Sequence, residues 1–166
     1  MDDNGVRTES ISFDYGTVTS SRKANALLGR KTTSLSLSSE EAGADLFKFL
    51  ADNLQIEFGL ITMGAKGSKI VSSHNRNSVP VSSEAKTLSK KWDTKISKII
   101  HNHPGNTGPS GFARNREGGD KVAAKQLPKA DHYVYLPHNS ELILYDARKV
   151  YDKKKWEEVF PITVKK

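Results

Sequence analysis

The chain has 166 residues, 36% hydrophobic and 27% charged, a balance that fits one soluble globular domain and excludes a fibre or a disordered tail. Cysteine is absent, which removes disulfides, a cysteine nucleophile, iron–sulfur clusters and every thiolate zinc site, so any metal must be held by His, Asp or Glu. The net charge is +7, and no run approaches the roughly 20 apolar residues of a membrane helix, so no membrane span is expected.

Residues 1–33 are polar. An alternation at Ile11, Phe13 and Tyr15 resembles a strand, but Gly16, Gly29 and the pairs Arg22-Lys23 and Arg30-Lys31 mark the segment as an N-terminal lead-in or linker. Its acidic start, Met1-Asp2-Asp3, leads into no apolar stretch, so no secretory signal is expected. The functional domain is expected over 34–166. Ser38 followed by Glu41 forms a capping-box pattern, and Ala42, Leu46, Phe49 and Leu50 recur at helical spacing, which predicts a helix over 39–52. Residues 54–63 form an apolar run broken by Gly64 and read as a buried strand, with 69–72 as its hairpin partner.

A second helix is predicted over 83–92, with Ala85, Leu88 and Trp92 on one side. Residues 94–103 read as a strand, stopped by Pro104-Gly105 and followed by a glycine-rich loop over 105–119. Asp120 then opens a short helix that Pro128 ends. Two alternating strands follow, 132–137 and 141–145. The tail carries Trp156, Val159, Phe160, Ile162 and Val164 and is expected to pack back onto the domain, while Lys153-Lys154-Lys155 beside Glu157-Glu158 reads as a solvated helical segment. This order predicts an α/β fold, a mixed sheet flanked by helices.

The most informative string is His101-Asn102-His103-Pro104. In a strand, residues two apart project from one face, about 7 Å apart at the backbone, so both imidazoles can reach one ion at the sheet end. Catalytic zinc generally takes three protein ligands and keeps one position open. Asp120 offers the third, although taken alone an Asp after Gly-Gly reads as a helix N-cap before it reads as a ligand; Asp131 and His132 come after that helix and would need a different geometry. Glu57 is anomalous inside an apolar run: it either faces water from an edge strand or is a buried carboxyl suited to proton transfer. Ser110 alone is a turn serine, but beside a polarised carbonyl it can donate to an oxyanion.

Taken in order, Glu57, His101-x-His103-Pro104, Pro109-Ser110 and Asp120 resemble the JAMM motif of the JAB/MPN metalloenzymes, in which Glu is followed by H-x-H-P and then by S-x-x-D. The resemblance spans roughly 35–147 and implies a JAB/MPN (cytidine-deaminase-like) architecture. It also implies Zn2+ held by His101, His103 and Asp120, with Glu57 activating a water and Ser110 steadying the tetrahedral intermediate. Family members cut peptide or isopeptide bonds. The chain departs from the pattern between Ser110 and Asp120, where residues 111–119 carry a seven-residue excess. That inserted loop is similar to JAB-like toxin domains of bacterial polymorphic (Rhs-type) toxins, which implies delivery by a specialised secretion system into a target cell, a protein or peptide substrate and a cognate immunity protein with an acidic surface.

The basic excess sits in the last two thirds of the chain. Lys and Arg number 6 against 7 Asp and Glu over 1–50, 8 against 4 over 51–100, and 12 against 8 over 101–166. This charge either solvates a face or attracts an acidic partner or nucleic acid. Two alternatives to the hydrolase therefore stand: a metal-dependent nuclease, to which the literal His-Asn-His string adds only a superficial match, and a non-catalytic binding module of the JAB fold related to RadC-like domains. Specificity is expected to lie in 75–81 and 105–119.

Overall fold

The computed structural model describes residues 7–13, 16–25, 30–91, 93–113 and 118–161. In chain order the elements are β1 (Arg7–Phe13), β2 (Gly16–Asn25), β3 (Arg30–Leu37), α1 (Glu40–Asn53), β4 (Phe58–Thr62), β5 (Ser68–Ser72), α2 (Val81–Lys91), β6 (Lys98–Asn102), α3 (Gly119–Gln126), β7 (Asp131–Leu136), β8 (Glu141–Tyr145), β9 (Val150–Lys155) and α4 (Trp156–Val159). Tyr15, Trp92, the loop residues 114–117, Ile162 and Val164 lie outside the described residues.

All nine strands join one mixed sheet in the order β1-β2-β3-β5-β4-β6-β7-β8-β9. Every pair is antiparallel except β6–β7, where Ile99 stands beside His132 and His101 beside Val134. A mixed α/β sheet is what the element order predicts. The segment read as a lead-in carries the β1–β2 hairpin and the start of β3, which pairs with β5 from Thr33 to Leu37. The division drawn between 33 and 34 therefore falls inside a strand.

Side chains alternating along the central strands sort onto two faces. One face carries Leu60, Ile70, Ile100, Tyr135 and Leu142 and packs against Phe47 of α1 and Trp156. Trp156 stacks on Phe47 with ring centroids 6.2 Å apart and on Phe160 at 4.6 Å, so the tail does return to the core. The opposite face carries Ile61, Val71 and Ile99 under α2, and Val134, Leu136, Ile143 and Tyr145 beside Ala124 of α3. The result is a sheet between two helical layers.

Three expectations shift in detail. Ser39, not Ser38, caps α1: its side chain accepts a 3.0 Å hydrogen bond from the Ala42 N–H, and Glu40 is then free to reach the Gly64 N–H and the Ser97 hydroxyl. The apolar run at 54–63 enters the sheet only at Phe58, because the helix cap at Leu54 occupies its start. Lys153-Lys154-Lys155 lie in strand β9 rather than a helix. There Lys153 meets Glu141 at 3.0 Å, and the exposed lysines protect an open sheet edge against pairing with another chain. No helix among the described residues is long and apolar enough to cross a membrane.

Helix α1 approaches the sheet through Gly43, where a Cβ would stand 1.9 Å from Ser68 Oγ and 3.2 Å from Leu60 Cδ1. Gly→Ala in a helix interior ordinarily stabilises by about 1 kcal/mol. Here the sign reverses, because Ser68 is wholly buried and overpacking costs roughly 1–3 kcal/mol. Gly43→Ala should lower the melting temperature, and adding Ser68→Ala should recover part of the loss. A single Gly43→Ala variant that melts higher than the parent would show that the helix stands further from the sheet.

Candidate metal centre

A parallel pair cannot be joined by a tight turn, so the chain leaving β6 must cross over before it enters β7. That crossover begins at Pro104 and ends in α3, and it returns Asp120 to the sheet end where His101 and His103 stand. His101 Nε2 lies 3.1 Å from His103 Nε2 and 3.0 Å from Asp120 Oδ1, while His103 Nε2 lies 3.8 Å from Asp120 Oδ2. Two imidazoles and a carboxylate thus offer three donor atoms within 4.8 Å of one another, a group that can hold a metal ion. At zinc–ligand distances of about 2.0–2.1 Å, the edges of a tetrahedron are about 3.3–3.4 Å, within the span of the separations found. The donor set and its spacing fit a divalent cation.

The His103 tautomer follows from its neighbour. The Thr107 carbonyl lies 2.9 Å from His103 Nδ1 and accepts its proton, which leaves the Nε2 lone pair facing the site. A proton on His101 Nε2 then stands between the His103 lone pair and the Asp120 carboxylate, in the position a cation would take. Burial would raise the Asp120 carboxyl, but its hydrogen bond and charge interaction with His101, together with the Ser110 N–H and His103, hold it well below the ordinary carboxylate range. Burial disfavours a charged His101, and Asp120 and then Glu57 outweigh it, so the His101 pKa is raised. His103 is lowered by burial first and by His101 second.

Asp120 reaches this place despite the seven-residue excess because the loop is closed at its base. The Ser110 N–H donates to Asp120 Oδ2 at 2.6 Å, and the Asp120 N–H donates to Ser110 Oγ at 3.1 Å. Gly119 makes that closure possible: its φ is +56°, and a Cβ there would stand 2.0 Å from Ser110 Oγ. Asp120 is accordingly not capped against its own helix; its carboxylate faces the histidines, and Gly118 occupies the cap position.

Glu57 sits just before β4, which lies between β5 and β6, so the edge-strand reading does not hold. Its side chain is only 7% exposed. Burial pushes its carboxyl up to about 7, with His101 acting against the shift and Asp120 adding to it. The residue that holds it was not singled out from sequence. Asn102, between the two histidines, is fully buried; its Oδ1 accepts the Phe58 N–H at 2.7 Å, and its Nδ2 donates to the Ile56 carbonyl at 3.1 Å. These two bonds bracket Glu57. The alternation of the strand was the available signal, since Asn102 must point away from the histidines into the opposite face.

Glu57, His101, His103, Ser110 and Asp120 all line one cleft of about 350 Å³ between residues 77–82 and α3. Neither alternative third ligand joins them. His132 Nε2 donates to the Leu127 carbonyl at 2.9 Å, and Asp131 is an exposed residue at the start of β7.

Fold and site together define an α/β domain with a His-His-Asp metal-binding group at a sheet end. The model of the family described as JAB-like toxin 1 matches residues 35–125, more than half of the chain, and takes in all five residues of the cleft named above. The chain belongs to this family. No curated protein and no solved structure matches it.

Two outcomes are expected. The purified protein should take up about one zinc per chain, with affinity falling as pH drops because protons compete for the same imidazoles. Gly119→Ala should weaken that uptake roughly 10–100-fold by displacing Ser110 from Asp120. Titration with a chromophoric zinc competitor reads both, and undiminished affinity in the variant would separate loop closure from ion binding. Asn102→Ala should leave ion uptake intact while costing at least about 2 kcal/mol, since two buried backbone groups lose their partner. That corresponds to a drop of roughly 4–8 °C in Tm by calorimetry.

Proposed function

We propose that this chain is a zinc-dependent metallohydrolase that cleaves peptide or isopeptide bonds by attack of water, acting as the toxin domain of a bacterial effector delivered into a target cell. The observation that carries this reading is the pairing, in one cleft, of three convergent metal-donor atoms with the buried carboxyl of Glu57, pushed up to about 7. Two imidazoles and a carboxylate make the nitrogen–oxygen set of catalytic zinc sites, which keep a position open for water or substrate. When bound, the ion supplies Lewis acidity, polarising the scissile carbonyl and making water nucleophilic near neutral pH.

The chain's own groups do the rest. Glu57, with a proton affinity close to ambient, accepts a proton from the attacking water and delivers it to the leaving amine. Asp120 and His101 stay oriented through the Ser110 and β6 contacts described above. The Ser110 hydroxyl accepts from the Asp120 N–H and keeps its own proton to donate into the cleft, where oxyanion charge develops. Because no step forms a covalent bond to the enzyme, no nucleophilic side chain is needed, in keeping with a chain that lacks cysteine. A ligand pair at the end of β6, with the third ligand opening the crossover helix, supports the JAB/MPN (cytidine-deaminase-like) architecture. The basic balance of the chain suits an immunity protein with an acidic surface.

Glu57→Gln tests the reading. It should retain zinc and fold, and lower hydrolysis about 10²–10⁴-fold, the usual contribution of a general base. The measurement is the appearance of new protein N-termini in a bacterial lysate treated with parent or variant, run beside growth arrest on cytoplasmic expression. Plasmid nicking that disappears in Glu57→Gln, with no new N-termini, would instead make the chain a nuclease. A variant as active as the parent would remove Glu57 from the chemistry.

A further inference from the structure

A second cavity of about 420 Å³ lies beside the cleft, between α2 and the end of α3, and Gln126 lines both. Lys86 of α2 donates to Gln126 Oε1 at 3.1 Å, so one hydrogen bond across the groove marks the junction. The floor of this second cavity is apolar, formed by buried Ile96 with half-buried Leu127 and Ala130, and its rim carries Lys86, Lys90, Lys95 and Lys129. Among the described residues no carboxylate lines it, and none of Lys90, Lys95 and Lys129 meets one.

We infer that this slot is a substrate-binding subsite that takes an acidic segment of a polypeptide, with an apolar side chain seated on the Ile96–Leu127–Ala130 floor and flanking carboxylates on the lysine rim. The inference deepens the hydrolase reading and rests on it for the identity of the occupant as substrate. An apolar floor within a cationic rim requires a ligand with both characters, and an acidic peptide bearing a Leu, Ile or Phe supplies them. Single-stranded nucleic acid would match the charge of the rim but leaves the apolar floor without an aliphatic partner. Distance sets the register. Asp120 and Gln126 stand six residues apart on α3, about 9 Å along the helix axis, which an extended chain covers in about three residues. The acidic-apolar group therefore falls at least about three residues from the bond that is cut.

Fluorescence anisotropy tests this without requiring turnover. The full chain carrying Glu57→Gln, loaded with zinc, is titrated against short fluorescein-labelled peptides of Gly and Ser that differ only at a Glu-Leu-Glu, Glu-Ser-Glu or Lys-Leu-Lys centre. The Glu-Leu-Glu peptide should bind about tenfold more tightly than Glu-Ser-Glu, since burying one Leu side chain is worth about that much, and at least about tenfold more tightly than Lys-Leu-Lys, whose charges repel the lysine rim. Its affinity should fall with added salt. Lys90→Glu combined with Lys129→Glu should abolish the preference while zinc content and melting temperature stay as in the parent. Equal binding of the three peptides, or a preference that survives the double variant, overturns the subsite. Tighter binding of a labelled single-stranded oligonucleotide, lost in the same double variant, also overturns it and turns the slot over to nucleic acid. Zinc is measured separately by elemental analysis, so loss of the peptide preference with zinc retained strikes the subsite alone, whereas a chain that takes up no zinc strikes the hydrolase.

Discussion

The parallel pairing of β6 with β7 is the constraint on which the site depends. Antiparallel neighbours can be joined by a tight turn at the sheet end, and β4–β5 and β7–β8 are joined that way. A parallel neighbour forces the chain to leave one end of the sheet and re-enter at the other, with a helix laid on a face in between. That detour carries Asp120 past the end of β6, where two imidazoles from alternate positions already share a face. The Ser110–Asp120 bonds close the base of the detour, which is why its length can vary without moving the carboxylate.

The same sheet end shifts two carboxyls in opposite directions. Asp120 meets His101 and the Ser110 N–H and stays ionised, as a ligand must. Glu57 is buried just ahead of β4 and is pushed up to about 7, the range in which a carboxyl can both take and give a proton near neutral pH. Their separation in acidity is a property of position, since each is an ordinary carboxylic acid. Asn102 is the link between the two halves: its backbone belongs to the strand that presents the histidines, and its side chain grips the peptide groups on either side of Glu57. One short strand therefore places both the metal-donor pair and the buried Glu57 carboxyl.

Helices α2 and α3 lie on the same face of the sheet, over Ile99 and Val134 on adjacent strands, and Gln126 lines both of the cavities beside them. Their packing leaves the metal-binding end polar and the far end apolar with a cationic rim. The other face is filled by α1 and the aromatic stack of Phe47, Tyr135, Trp156 and Phe160, where the Tyr135 hydroxyl is satisfied by Asp52 at 2.7 Å. That face is devoted to packing, which leaves the chemistry to the α2–α3 side.

Much of this is local information, readable along the chain. Alternation in 99–103, the stop at Pro104, the helix opened by Asp120 and the hairpin at Gly64–Gly67 all follow from nearest-neighbour chemistry, and so does the choice of His, Asp and Glu as ligands in a chain without cysteine. Other features depend on partners distant in sequence. The strands at 7–25 are polar and weakly patterned, and they exist by pairing with β3 and through it with β5. The lysine run at 153–155 reads as a helix until β8 offers it a ladder of backbone groups. Which residues could bind a metal and move a proton is legible along the chain, because residue type and spacing state it directly. The packing of the strands is what brings Asp120 rather than Asp131 or His132 to the histidines, buries Glu57 instead of leaving it at an edge, and sets a cavity with a lysine rim beside the cleft. Each of these depends on which strand lies beside which, and hydrogen bonding between segments 36–44 residues apart sets that order.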